Sequence, residues 1–157
     1  MYFFGRLSDG AFAMKLTRYT DYALRVLLYV GTRPDRLSSI GEISRAYGIS
    51  QNHLMKVVND LANAGYVASV RGRSGGIRLG KPPEAINIGE VVRHTEDGFE
   101  VVDCSTCVIA PVCQLTHALD DAVKAFLAVL DGYTLGDLMG RREALSAIFA
   151  QTAQAPA

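Results

Sequence analysis

The chain is short of several things, and each shortage excludes a class of protein. No apolar stretch reaches the ~20 residues that a helix needs to cross a bilayer, because charge or glycine interrupts every one, so a helical membrane span is not expected. Neither sign of charge is in excess: sixteen Lys and Arg stand against sixteen Asp and Glu. A surface that grips polyanions all over is thereby excluded, while a local basic patch is not. Fifteen glycines and five prolines in 157 residues, against 49% apolar residues, rule out a collagen-like repeat and a disordered tail. The chain is also long enough to bury a core without disulfides, roughly one domain's worth. Cysteine is scarce. The three present are odd in number and all fall between Cys104 and Cys113, which does not suit a secreted disulfide framework and does suit a metal or redox site in a reducing cytosol. The opening thirteen residues carry one Arg and are broken by Gly5, Ser8, Asp9 and Gly10, unlike a signal peptide. They read as an N-terminal extension with Met14 as the expected start, and the expected location is cytoplasmic. Finally, neither the P-loop spacing nor a GxGxxG opening a helix is present, and no nucleophile, base and orienting acid stand at familiar motif spacing, so an enzyme is not expected.

What is present is mainly helical. Tyr22, Ala23, Val26, Leu27 and Val30 recur at three- and four-residue spacing from Thr17 until Gly31 and Pro34 end the segment. Ser39 followed three residues later by Glu42 is a capping box for a short helix with Ile43, Ala46 and Tyr47 on one face, stopped by Gly48. Ser50 can cap a third helix whose buried stripe is Leu54, Val57, Val58 and Leu61. The period then changes: Tyr66 to Val70, a turn over residues 71–76 and Ile77 to Leu79 read as a β-hairpin, and Pro82-Pro83 punctuates the chain. Asn87 and Glu90 open a further short helix. From about Leu115 a long helix carries Leu115, Leu119, Ala122, Val123, Phe126, Val129 and Leu130, a stripe wider than a small neighbour would cover. Gly132 stops it, and Thr134 can cap a short last helix before an Ala- and Gln-rich tail.

Two helices joined by a tight turn at Gly48 fit a helix-turn-helix, whose second helix enters a DNA major groove. Ser50 opens that helix, and Gln51, Asn52, His53, Lys56 and Asn59 form its polar outer face. Gln and Asn amides can pair bidentately with adenine, and Lys56 suits phosphate or guanine; a solvated helix face is the alternative. The hairpin favours the DNA reading. Between Gly65 and Pro83 there are four cations, Arg71, Arg73, Arg78 and Lys81, and no acid, so a neutral chain concentrates positive charge beside the recognition helix.

Cys104, Cys107 and Cys113 supply three soft thiolates on a short stretch with Pro111, enough for three corners of an iron-sulfur cluster or three positions of a tetrahedral zinc. His117 would complete a three-Cys, one-His zinc site, whereas Asp21 could contribute only through tertiary or quaternary structure. A loop between a DNA-reading lobe and a long apolar helix would, if ligated, fix the angle between two DNA-reading lobes paired through that helix.

Several runs carry a family resemblance. They are residues 14–25 (MKLTRYTDYALR), residues 41–48 (GEISRAYG), the hairpin at 70–79 (VRGRSGGIRL) and residues 130–135 (LDGYTL). On these the chain from Met14 to about Leu138 resembles the winged-helix family of bacterial iron-sulfur repressors that includes IscR, RirA and NsrR. Residues 52–56 (NHLMK), 78–82 (RLGKP) and 109–113 (IAPVC) are most similar to its nitric-oxide-sensing NsrR branch. The resemblance implies a mainly α fold: a winged helix-turn-helix over residues 14–83, a connecting helix and cysteine loop over 84–114, a dimerisation helix with a short follower over 115–140 and a tail over 141–157. It further implies a homodimer on a palindromic double-stranded operator and a cluster at Cys104, Cys107 and Cys113, with 4Fe–4S ahead of 2Fe–2S and zinc as the alternative. The fourth ligand would be an acidic residue of the other subunit's first helix, at the position of Asp21, and nitric oxide would be the effector. Where the family usually has four or more residues between its first two cysteines, this chain has only Ser105 and Thr106. That departure leaves the cluster type and the ligand set open, as it leaves open an iron or cluster-status signal in place of nitric oxide.

Overall fold

A computed structural model describes residues 15–154; residues 1–13 and Met14, read above as extension and start, lie outside them. Seven α-helices and one two-stranded antiparallel sheet follow in the order α1 (Arg18–Gly31), α2 (Ile40–Tyr47), α3 (Gln51–Asn63), β1 (Val67–Val70), β2 (Gly76–Leu79), α4 (Ile88–Thr95), α5 (Leu115–Asp131), α6 (Leu135–Leu138) and α7 (Arg142–Gln154).

Five of the seven helix starts have a local cause. Thr17, Ser39, Ser50, Asn87 and Thr134 cap α1, α2, α3, α4 and α6, each accepting from the backbone N–H three residues on. Ser39 and Glu42 form the reciprocal box expected: Glu42 N donates to Ser39 Oγ at 3.1 Å and Ser39 N donates to the Glu42 carboxylate at 2.7 Å. Burial raises the Glu42 pKa, but the Ser39 bonds and Arg36 outweigh it and hold the carboxyl below its usual range. Gly48 ends α2 at φ 66°, the left-handed conformation a side chain rarely adopts.

The core joins one face of each of the first three helices. Ala23, Val26, Leu27 and Val30 from α1, Ile43 from α2, and Leu54, Val57, Val58 and Leu61 from α3 are all buried. Each large aliphatic among them contributes roughly 1.5–3 kcal/mol by leaving water. The hairpin closes this unit, with Val67 opposite Leu79 and Val70 opposite Gly76. Ser38, just before α2, bridges Ile77 of β2 through two backbone bonds of 2.9 and 2.8 Å. The wing is therefore a third partner of the segment that enters the helix-turn-helix, a pairing not foreseen from sequence.

A second layer returns on the first. α4 packs on α1 and on α5, and Val91 and Val92 are wholly buried. Asn87 Nδ2 donates to Asp131 O at 2.7 Å, and Arg93 meets the Asp131 carboxylate with two bonds of 2.5 and 2.7 Å, so the end of α5 is tied to the cap of α4 and to its last turn. Arg93 holds the Asp131 carboxyl below the usual range. The α5 stripe divides: Val123, Phe126 and Leu130 pack against the core, while Leu115 and Val129 are 57% and 63% exposed. Most of the segment after residue 141, read from sequence as a tail, is helix α7. Its Phe149 is buried against Tyr29 and Tyr47, at ring-centroid separations of 4.9 and 5.3 Å. Among the described residues no helix is long and apolar enough to cross a membrane.

Candidate nucleic-acid interface and cysteine loop

The four residues of α3 that hold the core leave the rest of its circumference to solvent. Gln51, Asn52, His53, Lys56 and Asn59 are exposed, as the stripe requires. Ser50 is exposed too, and its oxygen accepts from His53 N at 3.3 Å; its hydroxyl proton is left to donate outward. The Gln51 amide stands near Gly41 at the start of α2, so the first turns of the two helices present one polar surface. The sequence reading missed two neighbours. Met55 is 45% exposed on this face and offers an apolar contact of the kind that suits a thymine methyl group. Tyr22 of α1 lies beside His53, ring centroids 6.3 Å apart, and carries the surface onto α1.

A half-exposed network ties α3 to its neighbours on another side. Asp60 accepts from the Tyr19 hydroxyl at 3.0 Å, and its other oxygen is 3.0 Å from His94 Nε2. Burial, and then the Asp60 carboxylate, push the Tyr19 phenol up to about 12. One carboxylate of the recognition helix is thus tied to α1 and to α4, the helix that leads into the cysteine loop.

The wing tip spans residues 71–75. Arg71 and Arg73 are exposed there and make no ion pair among the described residues. Gly75 is needed for close approach, since a Cβ would stand 2.2 Å from Val70 O. Arg78 is placed differently from the other two. It sits within β2, opposite Ala68, and lines a cleft at the base of the wing instead of the tip.

The cysteines lie in successive turns, Cys107 N donating to Cys104 O at 3.3 Å and Cys113 N to Ala110 O at 3.4 Å. All three thiols are free; Cys107 is exposed and the others half-buried. Val108, Ile109 and Val112 around them are exposed as well, Val108 at 93%. Asp21, in the first turn of α1, pairs with Arg25 at 2.8 Å. Neither Asp21 nor His117 is gathered with the thiols: among the described residues no three His, Cys, Asp or Glu side chains stand close enough to hold a metal ion. Three free thiols on one turn-rich loop are the donor type of an iron-sulfur cluster, but among the described residues the three are not themselves drawn together around a metal-sized space.

A helix-turn-helix with a cationic hairpin beside it, on a mainly helical frame, defines a winged-helix DNA-binding protein. The model of the Rrf2 family, described as an iron-dependent transcriptional regulator, matches residues 16–141. The HTH-type transcriptional regulator NsrR of Bacillus subtilis (strain 168) is 57% identical over 136 residues, 83% of this chain and 93% of that protein. The regulator of the same name from Bacillus licheniformis is 54% identical over 132 residues, covering 80% and 92%. Among solved structures, T. potens IscR superposes with a TM-score of 0.69 at 25% identity, over 94% of this chain and 96% of that one. CymR, the global cysteine regulator of B. subtilis, does so with 0.63 at 30%, over 80% and 96%. The chain belongs to the Rrf2 family and is a transcriptional regulator. Helix α7 begins just beyond the part that the family model matches.

Proposed function

We propose that the protein is a repressor that dimerises through α5, binds a palindromic operator, and releases it when nitric oxide reaches an iron-sulfur cluster. Cys104, Cys107 and Cys113 hold that cluster, 4Fe–4S in preference to 2Fe–2S, and the partner subunit's Asp21 supplies the fourth ligand. The observation that carries this reading is the placement of the three free thiols, on the loop between the DNA-reading lobe and the exposed apolar residues of α5. A bound cluster supplies iron that nitric oxide can ligate.

The rest is done by the chain. Gln51 and Asn52 read base edges, while Ser50, His53, Lys56, Arg71 and Arg73 meet phosphates and fix the approach. The loop sets how two lobes are held across the dimer. Two half-sites lie about one helical turn apart, roughly 34 Å, so a small change in that angle costs affinity at both. Arg25 engages Asp21 through Oδ1 at 2.8 Å, which leaves Oδ2 as the oxygen that would ligate.

Anaerobic purification followed by an absorption spectrum and an iron and sulfide assay, before and after nitric oxide, with operator binding measured on the same samples, tests the reading. Cluster bands and DNA affinity should be lost together. Colour lost without loss of binding overturns the sensing step, and a colourless zinc protein overturns the cluster in favour of a zinc-stabilised interaction module. A second reading, an iron or cluster-status regulator, is favoured by the family's description as iron-dependent. It predicts release on iron depletion with nitric oxide absent.

A further inference from the structure

Lys56 and Asp60 stand four residues apart on α3, and with His53 they form one stripe along an edge of the recognition helix. Side chains so spaced are neighbours on a helix surface, their Cβ atoms about 5–6 Å apart. Two other helical aspartates in this chain take a cation one turn away: Asp21 pairs with Arg25 on α1 at 2.8 Å, and Asp121 with Lys124 on α5 at 3.2 Å. Asp60 does not. Among the described residues Lys56, which is exposed, makes no ion pair.

Burial does not separate the two, since 34% of the Asp60 side chain is open to solvent. What engages the carboxylate is a donor on each oxygen. The Tyr19 hydroxyl donates to Oδ2 at 3.0 Å, and His94 Nε2 stands 3.0 Å from Oδ1. A carboxylate only accepts, so Nε2 is a ring nitrogen that carries a proton. Both donors are placed by their own helices. Tyr19 lies one turn before Tyr22 on α1, whose ring is beside His53 at the other end of the same stripe, and the His94 ring stands edge-on to the buried Tyr66, centroids 6.0 Å apart.

The carboxylate sits against two local preferences. Asp60 is in the last turn of α3, at the negative end of the helix dipole, and its charge is one turn from the cation assigned above to DNA phosphate. Left to pair with Lys56, it would take up the charge that a phosphate needs. We propose that Tyr19 and His94 are positioning residues for DNA binding: by occupying both oxygens of Asp60 they keep that carboxylate from Lys56 and leave the ammonium to the DNA backbone. This role rests on Lys56 meeting phosphate, and not on the cluster.

Binding to a mixed-sequence DNA duplex, titrated at several salt concentrations and at about pH 8, where an ordinary imidazole is uncharged, tests this role. The samples are the full chain, prepared anaerobically and matched for iron content, as wild type, Lys56→Gln, His94→Leu, those two combined, and His94→Leu with Asp60→Asn. Circular dichroism and thermal midpoints establish that each is folded. Lys56→Gln and His94→Leu should each weaken binding about tenfold and lower the salt slope by about one per subunit. Combined, they should do no more than either alone, because both remove the same contact. Tyr19→Phe, which removes the other donor, should act in the same sense, whereas His94→Gln, which keeps a donor, should bind as wild type. Asp60→Asn should restore the affinity that His94→Leu loses. Additive losses overturn the proposal, as does a further loss on adding Asp60→Asn, the sign expected of a network that only braces the fold. Wild-type affinity in His94→Leu beside a weakened Lys56→Gln overturns the proposal alone. An unchanged Lys56→Gln overturns the phosphate contact and the proposal with it.

Discussion

At the scale of single residues, the side chains proposed to meet DNA divide by what they can contact, and the division is measurable. Gln51 is exposed at the first turn of α3 with a free amide, so Gln51→Ala should relax sequence preference at one operator position, costing about 1–3 kcal/mol there and little on nonspecific DNA. Arg71→Ala or Arg73→Ala should instead weaken binding to all sequences and flatten the salt dependence by about one, read from binding isotherms at several salt concentrations. A uniform loss from Gln51→Ala, or a sequence-selective loss from Arg73→Ala, would exchange these roles. Most of these residues were legible in the sequence because their signal is local. A Ser cap and an i, i+3, i+4, i+7 stripe fix which side of α3 is buried, and the remainder must face out. Tyr22 and Met55 were not, since one joins the surface from another helix and the other looks like a core residue by type. Asp21 and Arg78 show the converse: residue type is legible, but the company a side chain keeps is set by tertiary structure.

Among the elements, α7 carries the sharpest expectation. Its sequence is rich in Ala and Gln and holds few large apolar residues, so periodicity gave nothing to separate it from a tail. One aromatic anchors it. Phe149, between Tyr29, Tyr47 and Arg33, is 6% exposed, and Phe149→Ala should cost about 3 kcal/mol in denaturant unfolding, the usual penalty for emptying a buried aromatic site. A loss under about 0.5 kcal/mol would mean that α7 is peripheral to the fold. The five capped helix starts were readable because a cap and its partner lie three residues apart. The pairing of Ser38 with Ile77 was not, because nothing within a local window announces a bridge across 39 residues. In the cysteine loop the donor residues were legible and their spatial arrangement was not, for the turns that hold them are made of backbone bonds.

For the whole molecule, alkaline pH is a simple probe of how the layers hold together. Burial pushes the Tyr47 phenol up to about 12, and burial with Asp60 does the same for Tyr19. Both raised values lie above the ordinary 10.0, so the folded state binds these protons more tightly than the unfolded chain does. Their contribution to stability is complete below pH 10 and is lost as pH rises through about 12. Unfolding midpoints measured from pH 9 upward should therefore fall across that window, and Tyr47→Phe, which also removes the 3.2 Å bond from its hydroxyl to Arg25 O, should flatten the fall. A midpoint independent of pH there would mean that the two phenols ionise freely in the folded state. The bond between Ser38 and Ile77 has a further consequence, in time instead of affinity. It closes a loop that contains α2, α3 and β1, so the start of the recognition unit is not complete until the last strand of the wing has arrived. Local helices form early and cheaply, whereas this closure pays chain entropy before it is rewarded. The reading head should accordingly open and close as one unit, with the amides of Ser38 and Ile77 exchanging at a common rate in native-state hydrogen exchange.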